Sequence, residues 1–166
     1  MHDATTTFAL LALTVAAVGW DLRTRRIPNM LTASGFLVAL VLRAFQGSDA
    51  LAAGFLAAVL AFALAVPLVL AGGLGAGDAK FLAAVGAFVG PAALPIVLLV
   101  TALVGGLLAV AVATRRGAMG ETLRHARVLL TRPTPDVQRR TLATPGALAV
   151  PYAVAISTGA LAGWWV

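Results

Sequence analysis

The chain has no cysteine, only two histidines and few charges of either sign. The missing cysteine excludes disulfides, thiolate metal sites and a cysteine nucleophile. With His2 and His125 as the only imidazoles, a histidine-rich metal site is not expected, and neither metal nor cofactor is anticipated. Charged residues make up 11% of the 166 residues, against roughly 25% in an ordinary soluble domain. Acidic groups are the scarcest, six against twelve Lys and Arg. What fills the chain instead is apolar: 61% hydrophobic residues and a mean hydropathy of +0.99. A soluble fold of this size could not bury so much apolar surface, and a disordered chain would be polar. The class that remains is an all-α integral membrane protein, a single domain over residues 1–166.

A bilayer-spanning helix needs about 20 apolar residues, within a range of roughly 17 to 25. Ala4–Trp20 is one such run; it lacks the basic start of a signal peptide and reads as a retained span. Met30–Phe45 is a second, and Leu51–Ala71, interrupted by Gly54 and Pro67, a third. Phe81–Thr114 would be about 51 Å long as one straight helix, too long for a hydrocarbon layer of about 30 Å. Gly90-Pro91 and then Pro95 break it into a short fourth span near 79–90 and a fifth near 94–114. Leu148–Val166 is the sixth, with Trp164 and Trp165 as an interfacial anchor. The expected architecture is therefore six transmembrane helices in a compact bundle.

Lys and Arg set the orientation. Arg23, Arg25 and Arg26 follow the first span, Lys80 precedes the fourth, and seven arginines from Arg115 to Arg140 lie between the fifth and sixth. Six spans put all of these on one side, taken as the cytoplasm, with both termini outside it and Arg43 alone toward the other face. Five spans would destroy the asymmetry. The net charge of +6 follows from this bias, so no nucleic-acid partner is implied; the partner implied by composition is the lipid bilayer. Residues 115–145 form a polar cytoplasmic loop. Within it, Gly117–Thr144 reads equally as a basic surface helix on the inner leaflet or as a solvated loop. Gly86 and Gly90 form a small-xxx-small pair, suited to tight packing within the bundle or to a dimer interface; the oligomeric state stays open.

Two acidic residues stand apart. Asp21 closes the first span, and Asp78 opens the fourth within Gly75-Ala-Gly-Asp-Ala-Lys80. The topology puts both at the same depth on the same side, where an ionisable group is costly and marks a functional site by default. Two carboxyls brought together titrate as a unit, one holding a proton while the other acts as base, and can hydrolyse an amide without a metal. Gly75 and Gly77 would leave room for a substrate backbone or the partner Asp. Plainer readings stand beside this one. Asp78 could be the N-cap of the fourth span, Asp21 an interfacial partner of Arg23, Arg25 or Arg26, and Lys80 a neutralising partner of either. A small ion- or proton-coupled transporter would also bury carboxylates, and an inactive assembly scaffold would have no use for their chemistry.

The stretch Asp21-Leu-Arg-Thr-Arg-Arg-Ile-Pro-Asn29 resembles the first catalytic motif of type IV prepilin peptidases, and Gly75-Ala-Gly-Asp-Ala-Lys80 resembles their second, GxGD followed by x-Lys. Phe81–Gly90 and Pro151-Tyr152-Ala-Val-Ala-Ile156 are similar to the family as well. The resemblance implies a membrane aspartic endopeptidase that removes the leader of pilin or pseudopilin precursors at the cytoplasmic face of a prokaryotic inner membrane. It implies Asp21 and Asp78 as the catalytic pair, with Gly75, Gly77, Lys80 and Arg26 as candidates for substrate binding or positioning. Larger members carry an N-terminal cytoplasmic segment with paired cysteines and also methylate the new N-terminus. Here no Cys is present and three residues precede the first span, so peptidase activity is expected and methyltransferase activity is not. The compact form resembles members serving Flp-type pili; archaeal preflagellin-type peptidases share the GxGD design.

Overall fold

The computed structural model describes residues 4–115 and 151–165, and among them it forms six helices: α1 (Ala4–Thr24), α2 (Asn29–Phe45), α3 (Ser48–Leu70), α4 (Ala76–Val89), α5 (Leu94–Arg115) and α6 (Tyr152–Trp164). The protein is all-helical over these residues, as its composition requires. Among the described residues, three helices are long and apolar enough to cross a membrane: Ala4–Thr24, Ser48–Leu70 and the Leu94–Val112 part of α5. At 17 residues, α2 is apolar but shorter. With 14 and 13 residues, α4 and α6 reach only about 20 Å at 1.5 Å per residue. The surface fits lipid as a solvent: Phe8, Val15, Phe45, Phe55, Leu103 and Leu107 all face outward, which a water-soluble monomer avoids.

Local chemistry sets the helix ends. Pro28, in extended conformation, is the N-cap of α2, and its carbonyl accepts from the Leu31 and Thr32 amides. A proline suits this place because a helix start needs no amide there. Gly47, at φ +117°, makes the tight turn from α2 to α3. Pro67 sits inside α3 without ending it, since its carbonyl still accepts from the Ala71 amide.

The core of the bundle is α4, which packs against α1, α2, α3 and α6, while α5 pairs with α6. Phe81, Val85 and Phe88 on α4 are fully enclosed. A short, all-round apolar helix with protein on every side is the expected solution for such a segment. At Gly86 α4 lies close against α3: a Cβ there would lie 2.9 Å from the Ala57 carbonyl oxygen. Gly86 is thus used for packing inside the chain. Gly90 receives the Arg43 guanidinium, and Arg43 donates from Nε to the Ala87 carbonyl (2.8 Å) and from Nη2 to the Phe88 carbonyl (2.7 Å). These bonds satisfy carbonyls that a helix C-terminus leaves orphaned.

Three details depart from the sequence reading. The fourth helix begins at Ala76, not near residue 79, because Asp78 helps to form its first turn. The last helix starts at Tyr152, not Leu148, within a segment described from Pro151 onward. Trp164 is no interfacial anchor: it is 3% exposed, and its indole N–H donates to Thr7 Oγ1 at 3.2 Å. Of that pair, Trp165 is the exposed one. The loop expected at 115–145 lies outside the described residues beyond Arg115, as does the surface helix expected in Gly117–Thr144.

Candidate active site

Asp21 lies in the last turn of α1, where the helix is stopped by side-chain and backbone bonds rather than by glycine. The Thr24 hydroxyl donates to the carbonyls of Trp20 (3.0 Å) and Arg26 (2.9 Å), and Arg25 takes a left-handed conformation at φ 55°. Asp21 is 4% exposed, the one buried acid among the described residues. Its Oδ2 accepts from the Ala153 amide at 3.2 Å. A carboxylate at the start of α6 meets free amides and the positive end of the helix dipole. Arg25 is close enough for its charge to act on Asp21.

Asp78 comes from the opposite direction in the chain. Gly75 is the N-cap of α4 and Asp78 its third residue; Asp78 Oδ2 accepts from the Gly75 amide at 3.2 Å, and the Ala79 amide donates to the Gly75 carbonyl at 3.1 Å. This is the reaching-back half of a capping box. Asp78 therefore stabilises the helix start from within the first turn rather than as the N-cap itself. The glycines have definite neighbours. A Cβ at Gly75 would lie 2.7 Å from Asp78 Oδ2, and one at Gly77 would lie 3.2 Å from the Ile27 carbonyl oxygen. Gly77 lets α4 begin directly against the turn between α1 and α2.

The two acids converge. Asp78 is half-buried and lies within electrostatic reach of Asp21 and of Tyr152. The C-terminus of α1 and the N-termini of α4 and α6 thus meet at one end of the bundle. Arg43 marks the opposite end of α2 and α4. Two carboxyls at one end of a bundle can serve as acid and base on a water placed between them.

The other residues singled out from sequence divide. Lys80 is exposed and donates from Nζ to Asn29 Oδ1 at 2.8 Å, linking the start of α4 to the start of α2. Arg26 is exposed on the turn, and its backbone carbonyl accepts from the Thr24 hydroxyl. Sequence reasoning missed Ala153 and Tyr152 as site neighbours. The Tyr152 ring rests against Gly105 of α5, and its backbone neighbour Ala153 holds Asp21. Pro151, which caps α6, was the available signal for a helix start here.

A family model described as the type IV leader peptidase family matches residues 8–110. That stretch contains Asp21, the Gly75–Lys80 segment and both walls of the α1–α4 contact. No curated protein and no solved structure matches the chain.

Proposed function

Because the chain belongs to the type IV leader peptidase family, we propose that it is a membrane-embedded aspartic endopeptidase cutting the leader from pilin or pseudopilin precursors. Membership in a peptidase family, together with several long apolar helices, makes it a multi-pass membrane peptidase. The finer reading is six passes through a prokaryotic inner membrane, with the Asp21 and Asp78 end at the cytoplasmic face, where Arg23, Arg25, Arg26 and Lys80 gather. The observation that carries it is the meeting of Asp21 and Asp78 at one end of the bundle, within electrostatic reach and joined to three helix termini.

In this mechanism one carboxylate takes a proton from water as the water oxygen attacks the scissile carbonyl. The other carboxyl, protonated, donates a hydrogen bond to that carbonyl. The tetrahedral intermediate collapses as a carboxyl proton passes to the leaving nitrogen and the C–N bond breaks. The pair ends with the same number of protons it began with. No metal or cofactor takes part in these steps. Gly75 keeps a side chain away from the Asp78 carboxyl, Gly77 lets the start of α4 sit against the turn that follows Asp21, Lys80 positions substrate, and Arg26 faces the leader or lipid headgroups. Methylation of the new N-terminus is not part of the proposal.

The test is direct. Purified protein incubated with a precursor pilin should yield a product lighter by the leader mass, and Asp21→Asn and Asp78→Asn should each abolish it while expression is retained. Normal cleavage by either Asn variant would overturn the pairing. Ion flux in liposomes lost with the same variants, without cleavage, would favour transport.

A further inference from the structure

A groove of about 570 Å³ opens on the outside of the bundle between α2, α3 and α4. Its head is polar and its body apolar. Asn29 and Lys80, joined by their 2.8 Å hydrogen bond, form the head, and Ala33, Phe36, Ala63 and Ala83 line the body. The α2 wall, from Asn29 to Phe36, is two helical turns, about 10 Å. Small residues on facing helices let a further helix backbone approach closely, the usual basis of helix association in lipid.

The head lies at the same end of the bundle as the candidate site: Lys80 follows Asp78 by two residues, on another face of α4 but only about 3 Å along its axis, so a chain leaving the groove need only round the start of α4 to reach it. The Lys80 ammonium spends its hydrogen bond on a neutral amide oxygen, so donor capacity and positive charge face the groove mouth. An extended peptide offers that mouth unpaired carbonyl oxygens; a phospholipid offers ester and phosphate oxygens, but no amide bond to cleave. Whatever fills the groove in catalysis must also present an amide bond at the level of Asp78.

We infer that this groove seats the first two turns of the precursor's apolar helix, with Asn29 and Lys80 receiving backbone carbonyls of the extended leader junction just before it. The inference rests on the leader-peptidase reading and adds a location to it. Substrate recognition is then mainly helix packing along α2, α3 and α4, and the exposed face of α5 has no share in it.

The wild-type chain has no cysteine, so single cysteines can be placed cleanly. In an Asp78→Asn background, Ala63→Cys and Ala83→Cys should form disulfides with a precursor carrying one Cys in the second turn of its helix. Leu103→Cys and Leu107→Cys, on the exposed face of α5, should cross-link at least tenfold less. In the active protein, Ala63→Trp should lower cleavage of the full precursor relative to a short junction peptide lacking the helix by tenfold or more. Leu103→Trp should leave that ratio unchanged. Cross-links equal at both faces, or a ratio unmoved by Ala63→Trp, would overturn the groove assignment. Phospholipid that co-purifies and is displaced by Ala63→Trp, with the ratio unmoved, would assign the groove to lipid instead and overturn it as well. Wild-type protein that cuts neither precursor nor peptide would defeat the leader-peptidase reading itself.

Discussion

The backbone amide of Ala153 donates to Asp21 Oδ2 at 3.2 Å, joining the last described helix to the first across 132 positions. One carboxyl oxygen of Asp21 is thereby held by the backbone of α6. Asp78 is arranged in the same way, with Oδ2 held by the Gly75 amide. Both acids accept a hydrogen bond from a backbone N–H at the start of a helix, which holds their position more firmly than a flexible side chain would.

That shared arrangement separates charge from geometry. An asparagine at either position retains an oxygen to accept the same backbone bond but cannot act as acid or base. Asp21→Asn and Asp78→Asn should each lower the cleavage rate by about 10²-fold or more, the scale of general acid–base catalysis. The unfolding temperature in detergent should shift by only a few degrees. Asp21→Ala, which leaves the Ala153 amide without its acceptor, should cost about 1–3 kcal/mol of stability in addition. Parallel rate measurements and thermal melts distinguish the two effects.

Much of the candidate site's layout was legible in the sequence. A carboxylate closing one apolar run and another opening a second, on one side by charge asymmetry, already placed Asp21 and Asp78 together. The six helical segments followed from apolar runs and the breaks at Gly90-Pro91. What was not legible came from bonds between distant segments. The Ala153 amide carries no signature in a side chain, and Trp164 resembles a membrane anchor until its N–H is found on Thr7. Arg43 read as a lone charge toward the far face, whereas its side chain bonds the end of α4. A polar side chain in an apolar bundle takes its meaning from the partner it reaches, and spacing along one helix does not name that partner.

Arg43 yields a prediction about stability. Arg43→Met would keep much of the apolar stem but leave the Ala87 and Phe88 carbonyls without their donor. Hydrogen bonds to a charged group contribute about 1.5–3 kcal/mol each, so a loss of about 2 kcal/mol or more is expected. Arg43→Lys should recover only part of it, because an ammonium lacks the planar fork that reaches two carbonyls at once. Thermal unfolding in detergent should rank wild type above Lys above Met.

The glycines of the bundle should differ sharply from one another. Gly86→Ala puts a methyl group 2.9 Å from the Ala57 carbonyl oxygen, so α3 and α4 must separate. The expected cost is about 1–3 kcal/mol, as for other overpacked cores. At Gly106 an added methyl group would meet nothing within 4 Å, and Gly106→Ala should be neutral or stabilise its helix by up to about 1 kcal/mol. Equal melting temperatures for the two variants would contradict the close α3–α4 contact.

Gly75→Ala tests the site without touching either acid. Gly75 has an ordinary extended backbone at φ −74° and ψ 146°, so alanine meets no conformational penalty there. The added Cβ would lie 2.7 Å from Asp78 Oδ2, closer than such atoms can approach. The carboxyl must therefore swing away from the Gly75 amide while the α4 N-cap survives through the Ala79 amide and the Gly75 carbonyl. A displacement of about 1 Å in a reacting group can lower a rate by about 10²-fold. Cleavage should accordingly fall by tenfold to a hundredfold, while the lost capping bond lowers stability by no more than about 1 kcal/mol. Measured side by side, activity should fail well before the fold does. A variant that melts early in proportion to its lost activity would show that Gly75 serves the helix start rather than the placement of Asp78.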